Sequence, residues 1–145
     1  MEAYTLEDGI EKIFELAVNV QTKPALICFY GHANAGKSTL RKECVEIAWE
    51  LGLRAHGGMI DDERSYSNDG YKLDYIFLEA YTDPLKHRSA EFIGKPIDIS
   101  VVIVNTKLNS PRELAELQYY CNKGEYDFVI CNPFSKVKSC NKTEL

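Results

Sequence analysis

Residues 31–39 read GHANAGKST, and the reading of this stretch decides how the rest of the chain is understood. The pattern is G-x-x-x-x-G-K-[ST], with Gly31, Gly36, Lys37 and Ser38 in the fixed positions. The two glycines let the backbone bend so that successive N–H groups point inward at phosphate oxygens, which makes Gly31, His32, Ala33, Asn34, Ala35, Gly36, Lys37, Ser38 and Thr39 one candidate binding loop. Lys37 sets a point charge against the outer phosphates, and the Ser38 hydroxyl is a ligand group for Mg²⁺. A helix starting here adds its positive N-terminal end.

The flanks supply the context that such a loop needs. ALICFY, residues 25–30, is a short apolar run that predicts a buried parallel strand. In STLRKECVEIAWELG, residues 38–52, Leu40, Cys44, Ile47, Ala48 and Leu51 recur at helical spacing, and Gly52 stands where a helix stops. With strand, glycine loop and helix in this order, the chain resembles the P-loop NTPases. The resemblance implies that it binds ATP or another NTP together with Mg²⁺.

Working outward, LEDGIEKIFELAVNV, residues 6–20, predicts a first helix with Thr5 as N-cap and an apolar stripe of Ile10, Ile13, Phe14 and Ala17. Residues 53–60 predict a second strand, weakened by two glycines, followed by a polar loop over 61–72. Residues 74–80, DYIFLEA, predict a third strand that closes on Glu79, and a short helix is expected over 84–93. Residues 99–104, ISVVIV, form a β-branched fourth strand that runs into Asn105. SPRE, residues 110–113, carries a capping box with Pro at the first helical position, and Leu114, Leu117, Tyr120 and Cys121 should face inward from that helix. Residues 127–132, DFVICN, predict a fifth strand.

This alternation predicts an α/β fold in three layers, a parallel five-stranded sheet with helices on both faces, built as a single domain over residues 1–145. Ligands of such sheets bind outside the carboxyl ends of the strands. The candidates are therefore the loop itself with Asp61, Asp62, Glu79, Asn105 and Asn132.

A net charge of −5 argues against a nucleic-acid surface, and no apolar run approaches the length of a membrane span. The acidic N-terminus has no secretory apolar region. The five cysteines are odd in number and form no C-x-x-C pair, which reads as reduced thiols in a cytoplasmic protein. The three histidines share no metal-ligand spacing with them.

An acid closing an apolar strand has the place of a Mg²⁺ partner, so Ser38 and Glu79 form the candidate metal set. Asp62, or Asp61 beside it, is placed to accept a proton from an acceptor hydroxyl, which gives Lys37, Asp62 and Glu79 as the candidate catalytic set. The layout resembles the small-molecule kinases among P-loop proteins. Asp61-Asp62 after the second strand and YIFLEAY look like uridine-kinase-like enzymes. VVIVN with the SPREL helix looks like the approach to a kinase lid, and EYDFVICN like the last strand of guanylate-kinase-like enzymes, which leads to the adenine-side loop. That resemblance implies a phosphoryl transferase with a small-molecule acceptor, which nothing in residues 61–96 specifies. The family's lid carries several arginines, whereas residues 109–127 hold only Arg112, with Lys86, His87 and Arg88 elsewhere. Turnover should be slow unless Arg88, Arg112 or a partner closes on the γ-phosphate.

Two other resemblances stay open. GHANAGKS also looks like the loops of superfamily 3 viral helicases, with Asn105 as sensor of the γ-phosphate. NTKLN, residues 105–109, is similar to the guanine-reading motif of GTPases, with Asn109 where that motif has Asp. A nucleotide-binding protein without catalysis is the remaining reading.

Overall fold

The computed structural model describes residues 2–60, 72–81, 89–90, 95–124 and 126–133. In chain order the elements are β1 (Ala3–Tyr4), α1 (Leu6–Ala17), β2 (Ala25–Tyr30), α2 (Lys37–Glu50), β3 (Ala55–Met59), β4 (Tyr75–Glu79), β5 (Ser89–Ala90), β6 (Lys95–Pro96), β7 (Ile99–Val104), α3 (Pro111–Asn122) and β8 (Phe128–Cys131). The main sheet has the order β1-β8-β7-β2-β4-β3, and every pairing in it is parallel. β2, which leads into the glycine loop, lies inside the sheet between β7 and β4. All six of its residues are buried, because helices cover both faces of a parallel sheet and neither face can be polar.

The expected five strands are six. β1 pairs with β8, Ala3 opposite Val129 and Tyr4 opposite Ile130, and Tyr4 meets Phe128 edge-on at 5.2 Å. A strand of two residues has no period to read. The helix expected over 84–93 is also corrected, since Ser89–Ala90 pairs antiparallel with Lys95–Pro96. The rest of that stretch lies outside the described residues.

Two apolar clusters flank the sheet. α1 and α2 bring Ile13, Ala17, Leu40, Cys44 and Ala48 onto the face that carries Ile27, Phe29, Tyr75, Phe77, Val101 and Ile130. α3 sets Leu117 on the other face with Leu26, Cys28, Tyr30, Ile76, Leu78 and Val102. Leu51 does not join the core; it is the C-cap of α2 and is 62 % exposed. α1 stops at Ala17 rather than at residue 20, with Val18 turned to solvent. Its Thr5 Oγ1 accepts from the Asp8 N–H, and α3 carries the full capping box between Ser110 and Glu113, with Pro111 at its start.

The amino ends of the strands are closed by carboxylates. Asp74, Asp98 and Asp127 accept from the backbone N–H groups of Arg54, Leu26 and Ser100 at 2.9, 2.8 and 2.6 Å. That leaves the carboxyl ends as the edge where backbone and side chains stay available to a ligand. No described helix is long and apolar enough to cross a membrane.

Candidate functional site

The glycine loop joins β2 to α2 at the carboxyl edge. Asn34 has φ 68° and Gly36 φ 100°, the left-handed region that Asn tolerates and Gly enters freely. Gly36 is the N-cap of α2 and offers no side chain to the first turn, which also holds no acidic residue. The N–H groups of that turn are thus left for an anion. Residues Ala33 to Thr39 line a hollow of about 160 Å³. A side chain at Gly36 would fill space already taken, since a Cβ there would stand 2.5 Å from Asn132 Nδ2.

Charged groups gather on the β4 side of the loop. Lys37 Nζ donates to the carbonyls of Gly31 at 2.5 Å and Ala80 at 3.1 Å, and lies 5.5 Å from the centre of the Tyr81 ring. Burial pushes the Lys37 ammonium below its usual pKa, while the nearby Glu79 carboxylate pulls the other way. Glu79 shares with Tyr75 and Phe77 the face of β4 that α2 covers, as the period of two requires. It is 4 % exposed. Its Oε1 accepts from Ser38 Oγ at 2.8 Å and its Oε2 meets Arg41 Nε at 2.5 Å. The Nε–H is not aligned along this contact, so the attraction is ionic rather than a well-formed hydrogen bond.

The β7 and β8 side is held by amides. Asn132 Nδ2 donates to the Ala35 carbonyl at 2.8 Å, and Asn109 Nδ2 to the Ala33 carbonyl at 3.4 Å. Asn105, fully buried, accepts with its side-chain oxygen from the N–H groups of Lys107 and Leu108. Its own N–H donates to Asn109 Oδ1, so the two asparagines fold the 105–109 turn onto itself. His32 faces α3, with Nδ1 3.5 Å from Glu113 and Nε2 3.7 Å from Glu116.

The structure therefore brings together Lys37, Ser38, Glu79 and the loop backbone. Asp61, Asp62 and Arg88 lie outside the described residues. Arg112 is exposed on the first turn of α3. Asn105 has its side-chain carbonyl engaged inside its own turn, and Asn109 points at the loop. The sequence reading missed Arg41 and the clamp by Asn109. Arg41 had a signal: it lies four residues after Lys37, hence on the same face of α2 one turn on, and opposite a glycine-containing strand.

The site suits Mg²⁺ in its donor chemistry. A hydroxyl and a carboxylate, both hard oxygens, are already in contact beside the loop. Among the described residues no three His, Cys, Asp or Glu side chains cluster as a metal cage.

No protein-family model matches the chain, and no curated protein matches its sequence. Among solved structures it is similar to one titled as a possible uridine kinase from Bacillus stearothermophilus, with a TM-score of 0.52 and 14 % identity over 86 % of this chain and 98 % of that one. At this identity the likeness concerns the backbone. The parallel sheet, the loop between β2 and α2 and this match together show the P-loop NTPase fold.

Proposed function

We propose that this protein binds ATP with Mg²⁺ at residues 31–39 and transfers the γ-phosphoryl group to a hydroxyl of a small molecule. The observation that carries the reading is the 2.8 Å bond between Ser38 and Glu79 beside the open N-terminus of α2. It sets a hydroxyl, a carboxylate, a lysine and free N–H groups on one edge of the sheet.

The loop N–H groups and the first turn of α2 bind the phosphates, and Lys37 moves from the Gly31 and Ala80 carbonyls to the outer phosphate oxygens. Ser38 and Glu79 would hold Mg²⁺, which would supply charge neutralisation to the phosphates. Asp62 takes the acceptor proton as the acceptor oxygen attacks the γ-phosphorus and the bond to the β-bridging oxygen breaks. A larger hollow, about 590 Å³ and mostly apolar, opens at the ends of β1 and β8 beside Tyr4, Leu6, Cys131 and Pro133. β8 lies two strands from β2, roughly 10 Å at the usual strand spacing, which suits the distance from phosphates to base. The hollow is where we set the adenine. The engagement of Asn105 and Asn109 with each other supports neither a γ-phosphate sensor at 105 nor a guanine reader at 109.

The test is calorimetric titration with ATP and GTP, with and without Mg²⁺, followed by phosphoryl transfer to a panel of nucleosides and other hydroxyl compounds. Mg²⁺-dependent binding of ATP and transfer exceeding phosphate release are expected. Tighter binding of GTP, or hydrolysis stimulated by single-stranded DNA, would replace the reading.

A further inference from the structure

We propose that Arg41 is a positioning residue for Glu79, and that β3 carries glycine at position 57 so that Arg41 can reach it. The inference rests on the nucleotide and Mg²⁺ reading above. A carboxylate 4 % exposed, as Glu79 is, needs compensation for its lost hydration. The compensation is divided between its two oxygens. Oε1 takes the Ser38 hydroxyl, and Oε2 takes Arg41, whose side chain is itself 18 % exposed. With Oε2 fixed by a cation, the carboxylate cannot rotate freely, and Oε1 stays aimed at Ser38.

Gly57 shows that the route of Arg41 is built into the sheet. Gly57 sits opposite Phe77, two residues before Glu79 on β4, so the arginine stem must cross β3 near this point. A Cβ on Gly57 would lie 3.2 Å from Arg41 Cγ, 3.2 Å from Val45 Cγ2 and 3.2 Å from the Phe77 carbonyl oxygen. A side chain there would press α2 and the Arg41 stem away from the strand. The glycine that weakens β3 as a strand thus admits the arginine that orients the metal-side carboxylate. Arginine also differs from lysine at such a site, because its planar guanidinium is held flat by the packing of its stem whereas a lysine ammonium is a flexible point charge.

A plain buried ion pair would serve stability only, and the experiment separates the two roles. With nucleotide concentration fixed, Mg²⁺ is titrated and binding of a fluorescent ADP analogue is followed for the wild type, Arg41→Gln, Arg41→Lys, Glu79→Gln and the double variant Arg41→Gln/Glu79→Gln. Arg41→Gln should raise the Mg²⁺ concentration at half-saturation about tenfold, the scale at which orienting partners of metal ligands act. Its affinity for nucleotide in EDTA should change less than about twofold. Arg41→Lys should recover part of the loss, and the double variant should be no worse than Glu79→Gln. Gly57→Ala should shift the Mg²⁺ midpoint in the same direction by a smaller factor. An unchanged midpoint in Arg41→Gln, or a double variant that loses the product of the two single effects, would overturn the proposal. Where Arg41→Gln alone fails to fold, the double variant faces amide with amide, and its comparison with Glu79→Gln decides the matter. A wild type silent to nucleotide with and without Mg²⁺ would remove the functional reading and this proposal with it; a responsive wild type matched by Arg41→Gln removes Arg41 alone.

Discussion

The two sides of the glycine loop are built from different chemistry. Toward β4 stand charges: Lys37, Arg41 and Glu79, with Ser38 between them. Toward β7 and β8 the side chains that donate to loop carbonyls are neutral amides, Asn109 and Asn132, with His32 and the α3 carboxylates Glu113 and Glu116 beside them. Charges act on other charges over distance and change partners when a ligand arrives. Amides hold a backbone in shape without adding to the field that phosphates meet. On the proposed function one side serves the chemistry and the other preorganises the loop, and substitutions on the two sides should fail differently.

The largest effect should come from Lys37→Ala. Saturating ATP at a hundredfold excess over Kd stabilises a binder by about 2.7 kcal/mol, and most of that thermal shift should vanish in the variant. The fold should persist, because the part-buried Lys37 ammonium bonds carbonyls of the loop and of Ala80 at the strand ends and lies outside the apolar core. A full ATP shift in Lys37→Ala would break the charged side of the comparison. Glu79→Gln should lower turnover by about a hundredfold or more while leaving nucleotide binding in EDTA intact. It also leaves Arg41 without its carboxylate, so chemical unfolding should show a loss of up to about 3–5 kcal/mol, the scale for breaking a buried pair from one side.

Asn132→Ala is the matching experiment on the amide side. It orphans the Ala35 carbonyl in a buried setting and should cost about 1–3 kcal/mol in urea unfolding. ATP should bind more weakly because the loop is less fixed, yet the Mg²⁺ midpoint should not move. A shift of that midpoint would mean that the two sides are coupled and would blur the division drawn here.

Much of this arrangement was legible in the sequence because local patterns determine it. The loop pattern, the apolar run of 25–30 and the helical spacing of Leu40, Cys44 and Ala48 each have a period or a fixed offset. The rule that ligands meet the carboxyl edge put forward Asp61, Asp62, Glu79, Asn105 and Asn132, of which Glu79 and Asn132 bond residues of the loop. What escaped depends on contacts across the sheet. β1 exists because Tyr4 packs on Phe128 and the backbone of 3–4 completes an edge, and two residues carry no pattern. The partnership of Arg41 with Glu79 joins residues distant in sequence, and the glycine that permits it read only as a weak strand. Leu51 fitted the helical stripe of α2, but the helix ends before that turn can be buried.

The smallest effect concerns the far end of the amide side, where the base is proposed to lie. Cys131 is exposed at the hollow beside Tyr4, Leu6 and Pro133, whereas Cys28 and Cys44 are buried. Burial also pushes the Cys44 and Cys121 thiols above their usual pKa, so these two are poorer sources of the thiolate that reacts with alkylating agents. In a Cys140→Ser background, iodoacetamide should therefore label Cys131 first, with Cys121 slower and Cys28 and Cys44 silent until the protein unfolds. On the proposed reading ATP fills both the loop and the hollow, and it should slow labelling of Cys131 by roughly a few-fold. Tripolyphosphate occupies the loop alone and should leave the rate unchanged. Peptide mass mapping after timed quenching reads each cysteine separately. Equal protection by ATP and tripolyphosphate would mean that Cys131 senses the loop through the Asn132 clamp rather than the base directly. The base would then have to be sought away from β8.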